Sequence, residues 1–187
     1  MQSQDAAAVT RTPLHTRSLK VQVYERSDGL FDVEASLVDV KQIDMRLATG
    51  LRPAGEPVHD MQLNLVVDRE LNVLQSSSGT HAMPYPGQCD QHGNAYAQLV
   101  GLNLMQGFRA ALKQRLSGTR GCTHLSELAG VLPTAVIQAF AGHVLDTREG
   151  NAEGHPPYQI DKCHALRRDG QVVKTHYPRW FAASNQS

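Results

Sequence analysis

Apolar and polar residues alternate through the first third of the chain, and this alternation predicts strands. Leu19, Val21 and Val23 alternate with polar neighbours, Arg26-Ser27-Asp28-Gly29 supplies a turn, and Phe31, Val33, Ala35 and Leu37 resume the period of two. That pattern predicts a β-hairpin. Met61, Leu63, Leu65 and Val67 alternate with Gln62 and Asn64 in a further half-buried strand. After a turn at Asp68-Arg69-Glu70, Leu71 to Ser76 returns antiparallel. Two stretches read as long loops: Lys41 to Pro57, carrying Gly50, Pro53 and Gly55, and Ser76 to Gly93, rich in Ser, Gly and Pro. Long loops on a small domain often carry function.

The period then lengthens to that of helices. Leu99, Leu102, Phe108 and Leu112 predict a helix within Tyr96 to Leu116, with Gly101 and Gly107 as weak points. Leu125, Leu128, Leu132, Val136 and Phe140 form the stripe of a second helix, which Thr123 caps and Pro133 is expected to kink or split. Asp146 to Pro157 reads as a polar linker, and Tyr158 to Leu166 and Val172 to Tyr177 flank Asp169-Gly170 as a closing hairpin. Met1 to Arg11 reads as a disordered arm and residues 12–187 as a single domain. The fold class is α+β: a small antiparallel sheet with hairpins, packed against two or three helices.

Composition narrows the function classes. The chain has 187 residues, 41% of them hydrophobic, enough for a core. Its 18 basic and 18 acidic residues cancel, so no net field favours nucleic acid or an anionic membrane. No apolar run approaches membrane-spanning length, and the start is not a signal peptide. Three cysteines without disulfide-type spacing point to reduced thiols and a cytoplasmic protein. The partners expected are a small-molecule substrate and, as an open alternative, further copies of the chain.

Nine histidines enrich the chain in ligands and proton carriers. Arg120-Gly121-Cys122-Thr123-His124-Leu125 opens the second helix, where unpaired N–H groups and the helix dipole favour a thiolate at Cys122. His59, in Pro57-Val58-His59-Asp60-Met61, and Cys89, after Pro84-Tyr85-Pro86-Gly87-Gln88, are two further candidate ligands. With either His124 or Asp60 they make a mixed N/S/O set suited to a single Zn²⁺ or Fe²⁺ ion. Asp60, His81 and His124 are the candidate proton carriers, with His92 as a further loop histidine. Arg120 and Tyr85 are the candidates for holding a substrate carboxylate. A metal-free thiol mechanism would need a base from elsewhere, such as His59 or His81, because positions i and i+2 on one helix do not face each other. Cys163-His164 falls on a candidate strand, where neighbours point to opposite faces. Tyr177-Pro178-Arg179-Trp180-Phe181 reads as an aromatic cluster packing over the core.

Two resemblances follow from these motifs. Tyr24-Glu25-Arg26-Ser27-Asp28-Gly29, Pro57-Val58-His59-Asp60-Met61, Pro84-Tyr85-Pro86, Cys122-Thr123-His124-Leu125, Cys163-His164-Ala165-Leu166 and Tyr177-Pro178-Arg179-Trp180 together resemble an uncharacterised bacterial family of unknown function. Residues from about His59 to Phe140 are similar in layout to iron–sulfur scaffold proteins of the IscU, NifU and SufU type. That likeness implies a ligand at a strand entry (His59), a cysteine in the following loop (Cys89) and a cysteine opening a late helix (Cys122). The scaffold's Cys-Gly-Asp and Gly-Cys-Gly motifs are replaced here by Pro57-Val58-His59 and a Pro-rich loop.

The sequence thus leads to a metal-dependent lyase or hydrolase of small-molecule catabolism, acting on an aromatic or carboxylate-bearing substrate. Its ligands are expected to be His59, Cys89 and Cys122. The alternative is a non-catalytic metal or iron–sulfur carrier.

Overall fold

The two hairpins legible in the sequence join into one sheet. The computed structural model describes residues 9–91, 94–151 and 154–183. Its strands are β1 (His15–Glu25), β2 (Phe31–Lys41), β3 (Met45–Leu47), β4 (Gly50–Arg52), β5 (Pro57–Val67) and β6 (Val73–Ala82). Four of them pair antiparallel in the order β1-β2-β5-β6, and β3 and β4 make a separate two-stranded ribbon. The helices are α1 (Phe108–Leu116), α2 (Thr123–Phe140) and α3 (Gln171–His176). This is an α+β fold. Residues 1–8 of the expected arm, and His92 and Gly93 of the second loop, lie outside the described residues.

Local chemistry accounts for the turns. Gly29 takes φ of +81° between β1 and β2, where few side chains are tolerated. At the β5–β6 turn the Asp68 carboxylate accepts the Asn72 N–H at 2.8 Å. The pleat then sorts the side chains: Phe31, Val33, Ala35 and Leu37 of β2 and Met61, Leu63, Leu65 and Val67 of β5 are buried on one face. By contact the chain separates into two compact units, one ending at Pro133 and the other beginning at Thr134. In the first, Leu99, Phe108, Leu112, Leu116, Leu125, Leu128 and Leu132 add their side chains to the buried set. In the second, Phe140, Ile160 and Val173 are buried.

Four expectations are corrected. β6 runs on to Ala82, through a segment read as loop, because pairing with β5 supplies the backbone hydrogen bonds that weak strand formers such as Ser and Gly do not preclude. The stretch read as a loop before β5 contains the β3–β4 ribbon. The first helix begins only at Phe108. Upstream, Ala95–Leu99 is a 3₁₀ turn, and Gly101 and Gly107 adopt φ of +81° and +67°, which breaks helical continuity. Finally, the closing hairpin is absent: Gln171–His176 is a helix with only Val173 buried, and His164–Leu166 is a 3₁₀ turn. In so short a segment, period two and one helical turn are not separable. Pro133 stands inside α2 without ending it, since the single hydrogen bond lost is offset by a long buried stripe.

Among the described residues no helix is long and apolar enough to cross a membrane.

Candidate metal centre

The apolar stripe of β2 ends in a charge. Asp39 continues the parity of Phe31, Val33, Ala35 and Leu37, so its carboxylate falls on the inner face and is 3% exposed. A buried carboxylate requires partners, and the register supplies them: Arg17 on β1 and His59 on β5 lie directly across from Asp39. Arg17 donates from Nε to Oδ1 at 2.8 Å and from Nη2 to Oδ2 at 2.7 Å, a bidentate fork. His15 Nε2 lies 3.0 Å from Oδ1, and His59 Nδ1 lies 3.1 Å from Oδ2.

The start of α2 closes the cluster from above. His124 places Nε2 3.9 Å from Asp39 Oδ2, and its ring centroid lies 3.7 Å from that of His59. Glu127, one turn further along, accepts from Arg17 Nη1. Asp39, His59 and His124 each offer one ligand atom, and these atoms lie within 4.8 Å of one another, so the three could hold a metal ion.

The electrostatics suit that role. Burial works against ionisation of Asp39, yet Arg17 and His15 overcome it and hold its pKa at about 2. Burial lowers the pKa of His59, helped by the charge of His124. Burial, then Arg17, lowers that of His124. Both imidazoles are therefore held neutral, the form with a lone pair to give. Because an ionised carboxylate only accepts, the His59 proton sits on Nδ1 and leaves Nε2 as the free donor atom.

Cys122 borders this cluster. Its Sγ lies 3.8 Å from His124 Nδ1 and 3.8 Å from Met61 Sδ. The two residues were expected not to face each other, but Cys122 precedes the first helical residue, Thr123, so helical spacing does not govern the pair. The buried hydroxyl of Tyr96 fixes the cysteine backbone, donating to the Cys122 carbonyl at 2.7 Å and accepting its N–H at 3.1 Å. Gly121 makes this approach feasible. A Cβ there would lie 2.8 Å from the Leu116 carbonyl oxygen and 3.2 Å from the Tyr96 hydroxyl. Gly121→Ala is expected to destabilise the fold by about 1–3 kcal/mol through overpacking, read as a lower urea midpoint, and to move Cys122.

The remaining candidates are dispersed. Asp60 follows His59 on β5, so the pleat turns it toward the opposite face. His81 is exposed at the end of β6, its ring beside Gly79. Tyr85 is exposed, and its carbonyl accepts the Cys89 N–H at 3.0 Å, which curls the loop. Cys89, Arg120 and Cys122 line one open cleft of about 450 Å³. In the second unit Cys163 is exposed and on no strand, and Arg179 stacks on Trp180 at 4.6 Å. Of the three ligands expected from sequence, His59 joins the Asp39–His124 group, Cys122 adjoins it, and Cys89 is not among its members. Sequence reasoning passed over Asp39, His15 and Arg17. The signal for Asp39 was a charge in register with an apolar stripe.

Comparison with protein families returns one described as a protein of unknown function, DUF2889, matching residues 15–138. The chain belongs to the DUF2889 family. The match starts at the first residue of β1 and ends within α2, so His15, Arg17, Asp39, His59, Cys122, His124 and Glu127 of this DUF2889 chain all fall inside it. No curated protein and no solved structure matches, and the likeness to iron–sulfur scaffold proteins gains no support from these comparisons.

Proposed function

We propose that this DUF2889 protein is a metal-dependent enzyme of the hydrolase or lyase class, acting on a small carboxylate-bearing or aromatic substrate. The observation that carries the reading is the convergence of Asp39, His59 and His124 beside an open cleft. Two neutral imidazoles and a carboxylate suit Zn²⁺ or Fe²⁺. Such an ion supplies a Lewis acid that polarises a carbonyl or acidifies water.

The protein's own residues set the terms. Asp39 has about four acceptor positions, and Arg17, His15 and His59 occupy them with two, one and one hydrogen bonds. An entering ion therefore displaces one donor. The carboxylate oxygen nearest both imidazoles is Oδ2, whose donors are Arg17 Nη2 and His59 Nδ1, so an ion held there would take the place of one of these two hydrogen bonds, while His15 stays on Oδ1. Arg17 then keeps the carboxylate oriented while Glu127 balances the guanidinium charge. The free thiols Cys89, Cys122 and Cys163 suit a reducing compartment such as the cytoplasm.

One observation favours a second reading. Cys122 Sγ, His124 Nδ1, His124 Nε2 and Asp39 Oδ2 form a relay with gaps of 3.8 and 3.9 Å, the layout of a thiol nucleophile, its base and an orienting acid. Elemental analysis separates the two. Purified without tag or chelator, the wild type is expected to carry about one zinc or iron per chain, lost in His59→Ala and kept in Cys122→Ala. A folded, metal-free wild type would overturn the metal reading and leave the thiol relay.

A further inference from the structure

We propose that the cleft beside Cys122 is the substrate site and that it takes a small carboxylate, with Arg120 as its anchor. The inference rests on the reading of the Asp39 cluster as a reaction centre and names what that centre acts on. The cleft, of about 450 Å³, is lined by Gln88, Cys89, Gln91, Thr119, Arg120 and Cys122, together with Gly121. That volume suits a small organic molecule. Among the described residues none that lines it is acidic, and Arg120 is the one cation.

Arg120 is held but not neutralised. It closes the 3₁₀ turn Gly118–Arg120 and donates from Nη2 to Ser117 Oγ at 2.8 Å. Among the described residues no carboxylate pairs with it, whereas Arg17 is locked between Asp39 and Glu127. Arg120 lines this cleft together with neutral amides, a hydroxyl and thiols. A single guanidinium matches the charge and geometry of one carboxylate, whereas a phosphate dianion would keep a charge uncompensated there.

The position of the anchor gives it meaning. Cys122 lines the cleft with Arg120, and its sulfur is 3.8 Å from His124 of the cluster. A molecule held by its carboxylate at Arg120 thus lies one side chain away from the metal-ligand group. Recognition falls to the turn before α2, and chemistry to the group that His124 of α2 forms with Asp39 on β2 and His59 on β5.

The test is an alkylation contrast on metal-stripped protein. Iodoacetate and iodoacetamide are near-isosteres that differ in one negative charge. With either, a thiolate attacks the methylene carbon, the C–S bond forms, the C–I bond breaks and iodide leaves. Peptide mass spectrometry gives the rate at each cysteine, and the exposed Cys163 serves as the internal reference. The iodoacetate-to-iodoacetamide ratio at Cys122 is expected to exceed that at Cys163 by about tenfold, the value of one charge-assisted contact in a wet cleft. Arg120→Gln is expected to bring it down to the Cys163 value, and His59→Ala to leave it high. Equal ratios at the two cysteines, a ratio unmoved by Arg120→Gln, or a Cys122 inert to both reagents would each overturn the proposal. The readout needs no metal, so anion selectivity at Cys122 is decided separately from whether the Asp39 cluster holds an ion.

Discussion

Asp39→Ala is expected to abolish the metal binding proposed above and to unfold about 3 kcal/mol more easily than the wild type. The carboxylate is 3% exposed and accepts from three side chains on β1 and β5. Removing it leaves Arg17 Nε and Nη2 and His59 Nδ1 without their acceptor and takes away the anionic member of the Asp39–His59–His124 group. The figure sits at the lower end for a broken buried pair because the Arg17 side chain is 29% exposed and retains Glu127. Asp39→Asn restores the shape but little of the stability, since its amide group presents donors to donors. Urea unfolding and metal analysis of the three proteins read both effects. A stable Asp39→Ala protein that still holds one ion would show the carboxylate to be neither anchor nor ligand.

That single residue also marks the limit of what the sequence made legible. The stripe Phe31, Val33, Ala35, Leu37 was readable because alternation has one cause, a sheet with one buried face. Asp39 shares the stripe's parity, but a pattern of apolar positions ends where the first charge begins. Recognising it needed the cross-strand register, which puts Arg17 and His59 opposite, and register depends on turn geometry and bulges rather than on any local run. His59 and His124 were visible by type; their 3.7 Å ring contact depends on how α2 lands on the sheet.

Cys122 was legible for the opposite reason. A cysteine just before a strong amphipathic stripe is a local signal, and α2 begins at the next residue. Helical spacing does not set its distance from His124, because Cys122 stands just before the helix. The three-strand row Arg17–Asp39–His59 and the helix start therefore divide the work: the sheet fixes the charge, and α2 brings the thiol and second imidazole to it.

Protonation should expose this arrangement as a two-stage loss of stability with acid. In metal-stripped protein, unfolding frees His59 and His124 to take up protons near 6.5, while the folded state, in which burial lowers both pKa values, resists them. The unfolded chain then binds more protons, so stability is held above about pH 6.5 and begins to fall below it. Asp39 has the same sign at a lower window. Its carboxyl titrates near 3.8 when free and at about 2 when folded, so its contribution of about 2 kcal/mol is lost as pH falls between those values. Urea midpoints taken from about pH 8 to about pH 2 should be level at first, decline below about 6.5, and decline again below about 4. Replacing both histidines by Gln should remove the first decline, and Asp39→Ala should make the second shallower, with Asp28 and Asp146, whose hydrogen bonds also lower their pKa values, leaving a remainder. A level midpoint through the first window would mean that water reaches the two rings freely. The pocket would then hold no preformed pair of neutral imidazoles, and Asp39 would serve only to pin Arg17 across the sheet.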